Sequence, residues 1–232
     1  MRGRDAVSRR AAPAPSASLA IVVGARLWRS LPRLLGANAI FLAWCAPYGL
    51  LALLGLPALA LAVVPLTVGP GLVSLMAAAA RAARGEPGLA WSASLGSLRG
   101  FRTGAVLATA LLLAWHAQLV AVRAMVEQGA ATGTVGLWAA QVALLAFGGL
   151  VSVHALPLAG LYGQGPLEAA RNGFVLAARH PGPTIATLGL AGAAGSVTWM
   201  LGGAPLVILP AALALTLVSS TQYMLDGEGA AP

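Results

Sequence analysis

The chain has very little charge, and this scarcity limits the class of protein to which it can belong. Only 9% of its 232 residues are Asp, Glu, Lys or Arg, while 59% are hydrophobic. Ordinary soluble domains carry about 25% charged residues. A surface that faces water cannot be built from this composition, so the sequence favours a membrane protein over a soluble domain.

Two further absences limit the chemistry. The chain has no Lys, which excludes a phosphate-binding loop that ends in Gly-Lys-Ser or Gly-Lys-Thr. Its single cysteine, Cys45, permits neither an intrachain disulfide nor a metal site built from several cysteines. The sequence also lacks the His-Glu-x-x-His and Gly-x-Ser-x-Gly motifs of common hydrolases. We therefore predict that the protein is not an enzyme and holds no cofactor or metal.

The longest uncharged stretch runs from Leu34 to Ala80. It contains no Asp, Glu, Lys, Arg or His over 47 residues, about twice the ~20 residues that cross a bilayer as a helix. Gly55, Leu56 and Pro57 favour a turn near its middle, because Pro suits the first position of a helix. We interpret the stretch as a hairpin of two membrane-spanning helices.

Similar apolar segments follow, and together they predict an all-α integral membrane bundle of about six transmembrane helices. In front of the bundle, Arg26, Arg29 and Arg33 share one helical face. This spacing predicts an amphipathic helix in the headgroup region, joined to the first span at Pro32. The predicted spans cover residues 34–54, 57–80, 103–122, 135–158, 183–200 and 204–225; a disordered basic tail covers 1–15, a single transmembrane domain 16–225 and a short tail 226–232.

The placement of arginine predicts the orientation. All 14 basic residues are Arg, and 13 of them lie in the N-terminal segment or in the loops after the second and fourth spans. Only Arg123 lies on the opposite side. The positive-inside rule then puts both termini in the cytoplasm. Because these arginines border apolar spans, we expect anionic lipid headgroups as their partners rather than nucleic acid.

The second span carries residues that break helices. Pro65 and the Gly69-Pro70-Gly71 group predict a kink or break, because Pro removes a backbone donor. Thr67 is placed to bond a carbonyl of the preceding turn. Two interpretations fit this segment: a kink used for packing, or exposed carbonyls that bind an ion or solute.

Polar side chains inside the other spans are costly in lipid and are candidates for function. His116, Gln118 and Gln141 either face a central cavity that handles protons or a solute, or form hydrogen bonds between helices. No acidic residue lies in a span to partner the imidazole, which disfavours a proton pump. His154 lies nearer the cytoplasmic end of its span, where we expect it to reach the headgroups or a loop.

The segment Pro65-Leu66-Thr67-Val68-Gly69-Pro70, followed by Arg81 and by Arg84-Gly85-Glu86, resembles the YesL-like family of small bacterial multi-pass membrane proteins. Asn38 in the first span and Arg99-Gly100-Phe101 also stand where that family shows an Asn and an Arg-Gly-Phe stretch. The resemblance extends from about Arg33 to Met200. The chain departs from the family at Leu95-Gly96-Ser97-Leu98, where an acidic-aromatic pair is usual.

The resemblance implies a bacterial cell (inner) membrane protein of unknown molecular activity, associated with carbohydrate uptake systems. We therefore expect an accessory or regulatory component, with transporter permease subunits as partners and a homo-oligomer as a further option. The alternative is a small-solute transporter or channel in its own right, with the second span and His116 along the path; an intramembrane enzyme is the least favoured class. The expected cytoplasmic contacts to partner or lipid are Arg81, Arg84, Glu86, Arg99, Arg102, Arg171 and Arg179.

Overall fold

The structure is a computed structural model that describes residues 19–86, 98–128, 132–201 and 203–229. Within these ranges every regular element is helical and there is no strand, which confirms the all-α fold class. The elements are α1 Leu19–Leu53, α2 Pro57–Arg84, α3 Leu98–Gln128, α4 Thr132–Tyr162, α5 Pro166–Arg179, α6 Pro181–Met200, a 3₁₀ turn Ala204–Val207 and α7 Leu209–Gly229.

Four of the described helices are long and apolar enough to cross a membrane. A bilayer core of about 30 Å requires about 20 apolar residues in a helix, and each of the four segments exceeds that length. They are Leu27–Leu53, Pro57–Arg84, Gly100–Glu127 and Val135–Tyr162. Helices α6 and α7 lie where the fifth and sixth spans are predicted but are not among the four, so a count of six spans is not confirmed.

The hairpin between the first two spans is confirmed. Helix α1 ends at Leu53 and α2 begins at Pro57. Gly55 has a φ of +73°, a left-handed conformation that glycine adopts without a steric penalty. The amide of Leu56 donates to the carbonyl of Leu51 and closes the turn at 3.0 Å.

Two predicted interruptions of helices are wrong. Helix α1 continues through Pro32, so the N-terminal amphipathic segment is not a separate element in the described residues. The sequence predicts a kink or a break in the second span; helix α2 continues through Pro65 and Pro70, so the break is wrong and the kink stays a prediction. A helix in a membrane bundle can contain proline because neighbouring helices and polar side chains satisfy the backbone groups that proline frees. The basic tail at 1–15 lies outside the described residues.

Helix α2 is at the centre of the bundle and contacts α1, α3, α4 and α7. Its closest neighbour is α3, at the crossing of Gly69 and Gly104. A Cβ atom built on Gly104 would lie 2.7 Å from the nitrogen of Pro70 and still closer to the carbonyl of Gly69. The two backbones therefore touch, and only glycine fits at this crossing.

Helix α7 packs against several other helices, among them α1, α2 and α4. The 3₁₀ turn before it is bonded to Asn38 of α1, and its middle shares an apolar core with Leu34 and Leu75. Near its end, Thr221 reaches His154 of α4. It thus ties together α1, α2 and α4.

Helix α5 folds back along α4 instead of forming a loop. A Cβ atom on Gly173 would lie 2.7 Å from the carbonyl oxygen of Val151 and 2.9 Å from the nitrogen of Ala155. This close approach places the middle of α5 two to three helical turns inside the end of α4 at Tyr162. The polar connection after the fourth span is therefore a packed, antiparallel helix.

Candidate functional site

His154 is a fully buried polar residue of the described bundle, with 0% of its surface exposed, as are Thr184 and Thr221. Its Nε2 atom is 2.9 Å from Thr184 Oγ1 of α6, and its Nδ1 atom is 3.2 Å from Thr221 Oγ1 of α7. These three side chains form what we term the His154 cluster. The expectation that His154 reaches headgroups or a loop is wrong, because α5, α6 and α7 cover this part of α4.

The hydrogen bonds of the His154 cluster fix its proton positions. Thr184 Oγ1 lies 2.7 Å from the carbonyl oxygen of His180 and donates its only proton to it. It can therefore only accept from His154, whose Nε2 must carry a proton. The unprotonated Nδ1 then accepts from the hydroxyl of Thr221. The neutral imidazole joins α4, α6 and α7, which makes the cluster a link between helices.

Asn38 makes a second link between distant segments. The residue is 1% exposed, and its Nδ2 atom donates to the carbonyl oxygens of Leu206 and Val207 at 2.7 Å each. Its Oδ1 atom is buried and accepts no hydrogen bond. These bonds fasten the 3₁₀ turn before α7 to α1.

The predicted candidates of the second span contribute to packing in the described bundle. Thr67 Oγ1 donates to the carbonyl of Val63 at 2.9 Å, as expected for a threonine that bonds the preceding turn. Gly69 contacts Gly104, and Pro70 is buried beside it. This arrangement corresponds to the packing interpretation of the segment.

The polar residues of α3 and α4 lie apart from the His154 cluster. His116 is exposed on the outside of the described bundle, so it does not face a central cavity. Leu111 lies against Gly148, with 3.3 Å between its Cδ2 atom and a Cβ built on the glycine. Because α3 and α4 run antiparallel, Gln118, seven residues after Leu111, is level with Gln141, seven residues before Gly148. The Oε1 atoms of both are buried and accept no hydrogen bond.

The turn between α4 and α5 holds a cavity of about 390 Å³, which we term the turn cavity. Gly163 has a φ of +63°, and Thr103 Oγ1 donates to the carbonyl of Gln164 at 2.8 Å, so the turn is anchored to α3. The Oε1 atom of Gln164 is buried and accepts no hydrogen bond. The lining residues are Leu158, Tyr162, Gln164, Asn172, Val175, Leu176 and Leu225. Sequence reasoning missed this cavity.

A charged corner joins the C-terminal end of α2 to the middle of α1. Arg33 Nη1 donates to the carbonyl oxygen of Glu86 at 3.0 Å, and Arg84 forms an ion pair with the Glu86 carboxylate. The hydrogen bond from Arg84 holds the pKa of Glu86 below its ordinary value. Gly85, with a φ of +68°, ends α2 and turns the chain so that the corner can form. We term Arg33, Arg84 and Glu86 the arginine corner.

The remaining predicted contact residues are spread over the surface. Arg81 is half-buried in the last turns of α2, whereas Arg102 is exposed at the start of α3. Arg171 and Arg179 are exposed on α5. The side chain of Arg99 lies outside the described part of the chain. Of the predicted set, the structure brings Arg84 and Glu86 into an ion pair.

The described residues contain no group of three or more His, Cys, Asp or Glu side chains able to hold a metal ion. The titratable side chain of the polar core, His154, is bonded by hydroxyl groups on both sides.

No protein-family model, curated protein or solved structure matches this chain.

Proposed function

We propose that this chain is a multi-pass protein of the bacterial cell membrane, with both termini in the cytoplasm, that acts as an accessory or regulatory component of a solute uptake system. Carbohydrates are the solute class implied by the resemblance to the YesL-like family, and permease subunits are the proposed partners. The observation that carries the proposal is the arginine corner. It is an exposed charged surface whose geometry is held by two contacts to Glu86.

The arrangement of the polar residues supports an accessory role over transport by the chain alone. The transport alternative requires a broken second span and His116 along one path. In the structure α2 is continuous and His116 lies on the outside of the described bundle. The hydrogen bonds of Asn38 and of the His154 cluster join separate helical segments, which favours a rigid scaffold.

Co-purification from native membranes tests the proposal. A tagged chain is expected to bring down permease subunits, and the variant in which Arg81, Arg84 and Arg99 are replaced by Gln is expected to lose them. Arg123→Gln is the matched control, because Arg123 pairs only with Glu127 at the other side of the bundle in the described residues, at 2.8 Å. Reporter tags at the two termini are expected on the cytoplasmic face.

Two results would contradict the accessory role. One is retention of the permease subunits by the triple variant together with their loss from the Arg123→Gln control. The other is solute flux through liposomes that contain only this chain, if that flux depends on Thr67 or His116. The second result would favour the transport alternative.

A further inference from the structure

Helix α5 packs one face against α4 and leaves the opposite face open. Ala169, Gly173 and Leu176 are buried, and Gly173 makes the close approach to Val151 and Ala155 that seats the helix. Of the described α-helices, α5 is the most amphipathic. Its open face is therefore available to a partner outside the chain.

The open face of α5 combines large apolar side chains with arginines. Leu167 is 83% exposed and Phe174 is 48% exposed. Arg171 and Arg179 are exposed on the same helix, and Glu168 is its one acidic side chain. A surface in water does not favour apolar side chains left so exposed, whereas the boundary between lipid headgroups and acyl chains accommodates both kinds of side chain.

The apolar part of the open face continues onto α4. The ring of Phe174 packs against the ring of Phe147, with 5.6 Å between their centroids. Phe147 is itself exposed, and it lies in Val135–Tyr162, one of the four segments able to cross a membrane. An exposed side chain in such a span faces acyl chains. The exposed surface of α5 is therefore continuous with a surface that lipid covers.

Two exposed arginines on α3 match the thickness of a bilayer. Arg102 and Arg123 stand 21 residues apart in one continuous helix, which is about 32 Å at a rise of ~1.5 Å per residue. The hydrocarbon core of a bilayer is about 30 Å thick. Thr103, next to Arg102, donates to the carbonyl of Gln164 just before α5. Helix α5 therefore begins at the level of one boundary of the core.

The middle of α5 stays close to that boundary. In the antiparallel register of α3 and α4, Arg102 is level with Pro157. Gly173 meets α4 at Val151 and Ala155, which is two to six residues, or about 3–9 Å, inside that level. Amphipathic helices at membrane surfaces bury their apolar face about 5–10 Å into the boundary between headgroups and acyl chains. Helix α5 thus has the depth of such a helix.

We propose that α5 binds anionic phospholipids at the headgroup layer. Leu167 and Phe174 contact the upper part of the acyl chains, while Arg171, with Arg102 at the same boundary, binds lipid phosphates. Guanidinium groups form charge-assisted hydrogen bonds with phosphate, and anionic headgroups attract arginines near the membrane surface. The occupant is lipid rather than a protein because the open face continues into the lipid-facing surface of α4. The site is separate from the arginine corner, and its assignment does not depend on the accessory role.

Spin labels in liposomes that contain the full-length chain test the depth of α5. The labels are attached to Leu167→Cys or Phe174→Cys in a Cys45→Ser background, because Cys45 is a free cysteine. Electron paramagnetic resonance then compares collisions with oxygen, which is concentrated in lipid, with collisions with a water-soluble nickel complex. Both labels are expected about 5–10 Å below the phosphates. A label at Leu144→Cys, on the exposed face of α4, is the deep reference.

Native mass spectrometry tests the charge of the lipid. The full-length chain is mixed with equal amounts of dioleoyl phosphatidylglycerol and dioleoyl phosphatidylcholine, which share their tails, and the ratio of the two in the first bound lipid is measured. Arg171→Gln is expected to lower the preference for phosphatidylglycerol about fivefold, the factor that one arginine near an anionic surface contributes. Arg171→Lys keeps the charge and is expected to retain most of the preference. Arg123→Gln, at the other boundary, is the matched control and is expected to change nothing.

Three results would overturn the proposal. Labels at both positions that collide mainly with the nickel complex would place the open face in water or against a protein. Equal binding of the two lipids by the unmodified chain would remove the anionic preference. An equal loss of that preference in Arg171→Gln and Arg123→Gln would show that it does not arise at α5. None of these results bears on the co-purification of permease subunits, so failure of this site and failure of the accessory role are distinguishable.

Discussion

The bundle has two ends that differ in how closely their side chains are packed. At the packed end, α5 lies against α4, and α7 lies against α1, α2 and α4. Both nitrogens of His154 have hydroxyl partners there. At the open end, formed by residues 46–68, 113–127 and 135–147, most side chains are exposed. There His116 faces outward and Gln118 and Gln141 keep unpartnered oxygens. Contacts within the chain therefore define the packed end, whereas the open end is left to lipid or another chain.

The largest expected effect comes from the glycine crossing near the packed end. Gly104→Ala inserts a Cβ atom 2.7 Å from the Pro70 nitrogen. The clash is with backbone atoms, which cannot rotate away, so α2 and α3 must separate. We expect a loss of stability of about 1–3 kcal/mol or more, measured as a lower midpoint of thermal unfolding in detergent.

The matched control for this crossing is Gly192→Ala in α6. A Cβ atom on Gly192 has no neighbour within 4 Å, so the substitution is expected to leave stability unchanged or to raise it slightly through better helix propensity. An equal loss in both variants would show that the crossing is no more constrained than an exposed helix face.

The two histidines give the next largest contrast. His154→Leu removes the α4 side chain that contacts the hydroxyl groups of Thr184 and Thr221, and buries an apolar side chain among them. We expect it to lower stability by about 1–3 kcal/mol. His116→Leu, on the exposed face of α3, is expected to change stability by less than about 0.5 kcal/mol. Thermal unfolding of both variants checks the difference, and a reversed order would contradict the division into a packed and an open end.

Much of the fold follows from local features of the sequence. The hairpin at Gly55 and Pro57 could be predicted because glycine and proline act on their own backbone. The bond from Thr67 to Val63 could be predicted because a threonine reaches the carbonyl four residues back. The four long spans could be predicted because their length and composition do not depend on tertiary contacts.

The burial of His154 could not be predicted in the same way. It depends on α6 and α7 packing against α4 with Thr184 and Thr221 beside the imidazole, and these are contacts between distant segments. One signal was present: Gly173 in α5 and Ala155 in α4 are small residues that permit close approach. The turn cavity is lined by residues of α4, α5 and α7, so it too depends on contacts between distant segments.

The helix interruptions were mispredicted for a related reason. Pro32, Pro65 and Pro70 disfavour an isolated helix, but each lies in a segment that continues as one helix in the bundle. Tertiary packing outweighs the local cost. At Pro70 the helix packs closely against Gly104 of α3. No local pattern in the sequence could reveal this contact.

The smallest expected effect concerns the arginine corner, where the charges are exposed and screened by water and salt. Arg84 lowers the pKa of Glu86 from an ordinary value of 4.5 by its hydrogen bond. A carboxyl group with a lowered pKa in the folded state stabilises that state above the unfolded value, and this contribution is lost as the pH falls through the folded pKa. The unfolding midpoint of the unmodified chain should therefore exceed that of Glu86→Gln slightly at neutral pH. The difference should shrink as the pH falls below about 4.5 and should also shrink in high salt. If the difference in unfolding midpoint grew on acidification, the protonated form of Glu86 would be the more stabilising one. That result would contradict a stabilising ion pair between Arg84 and Glu86.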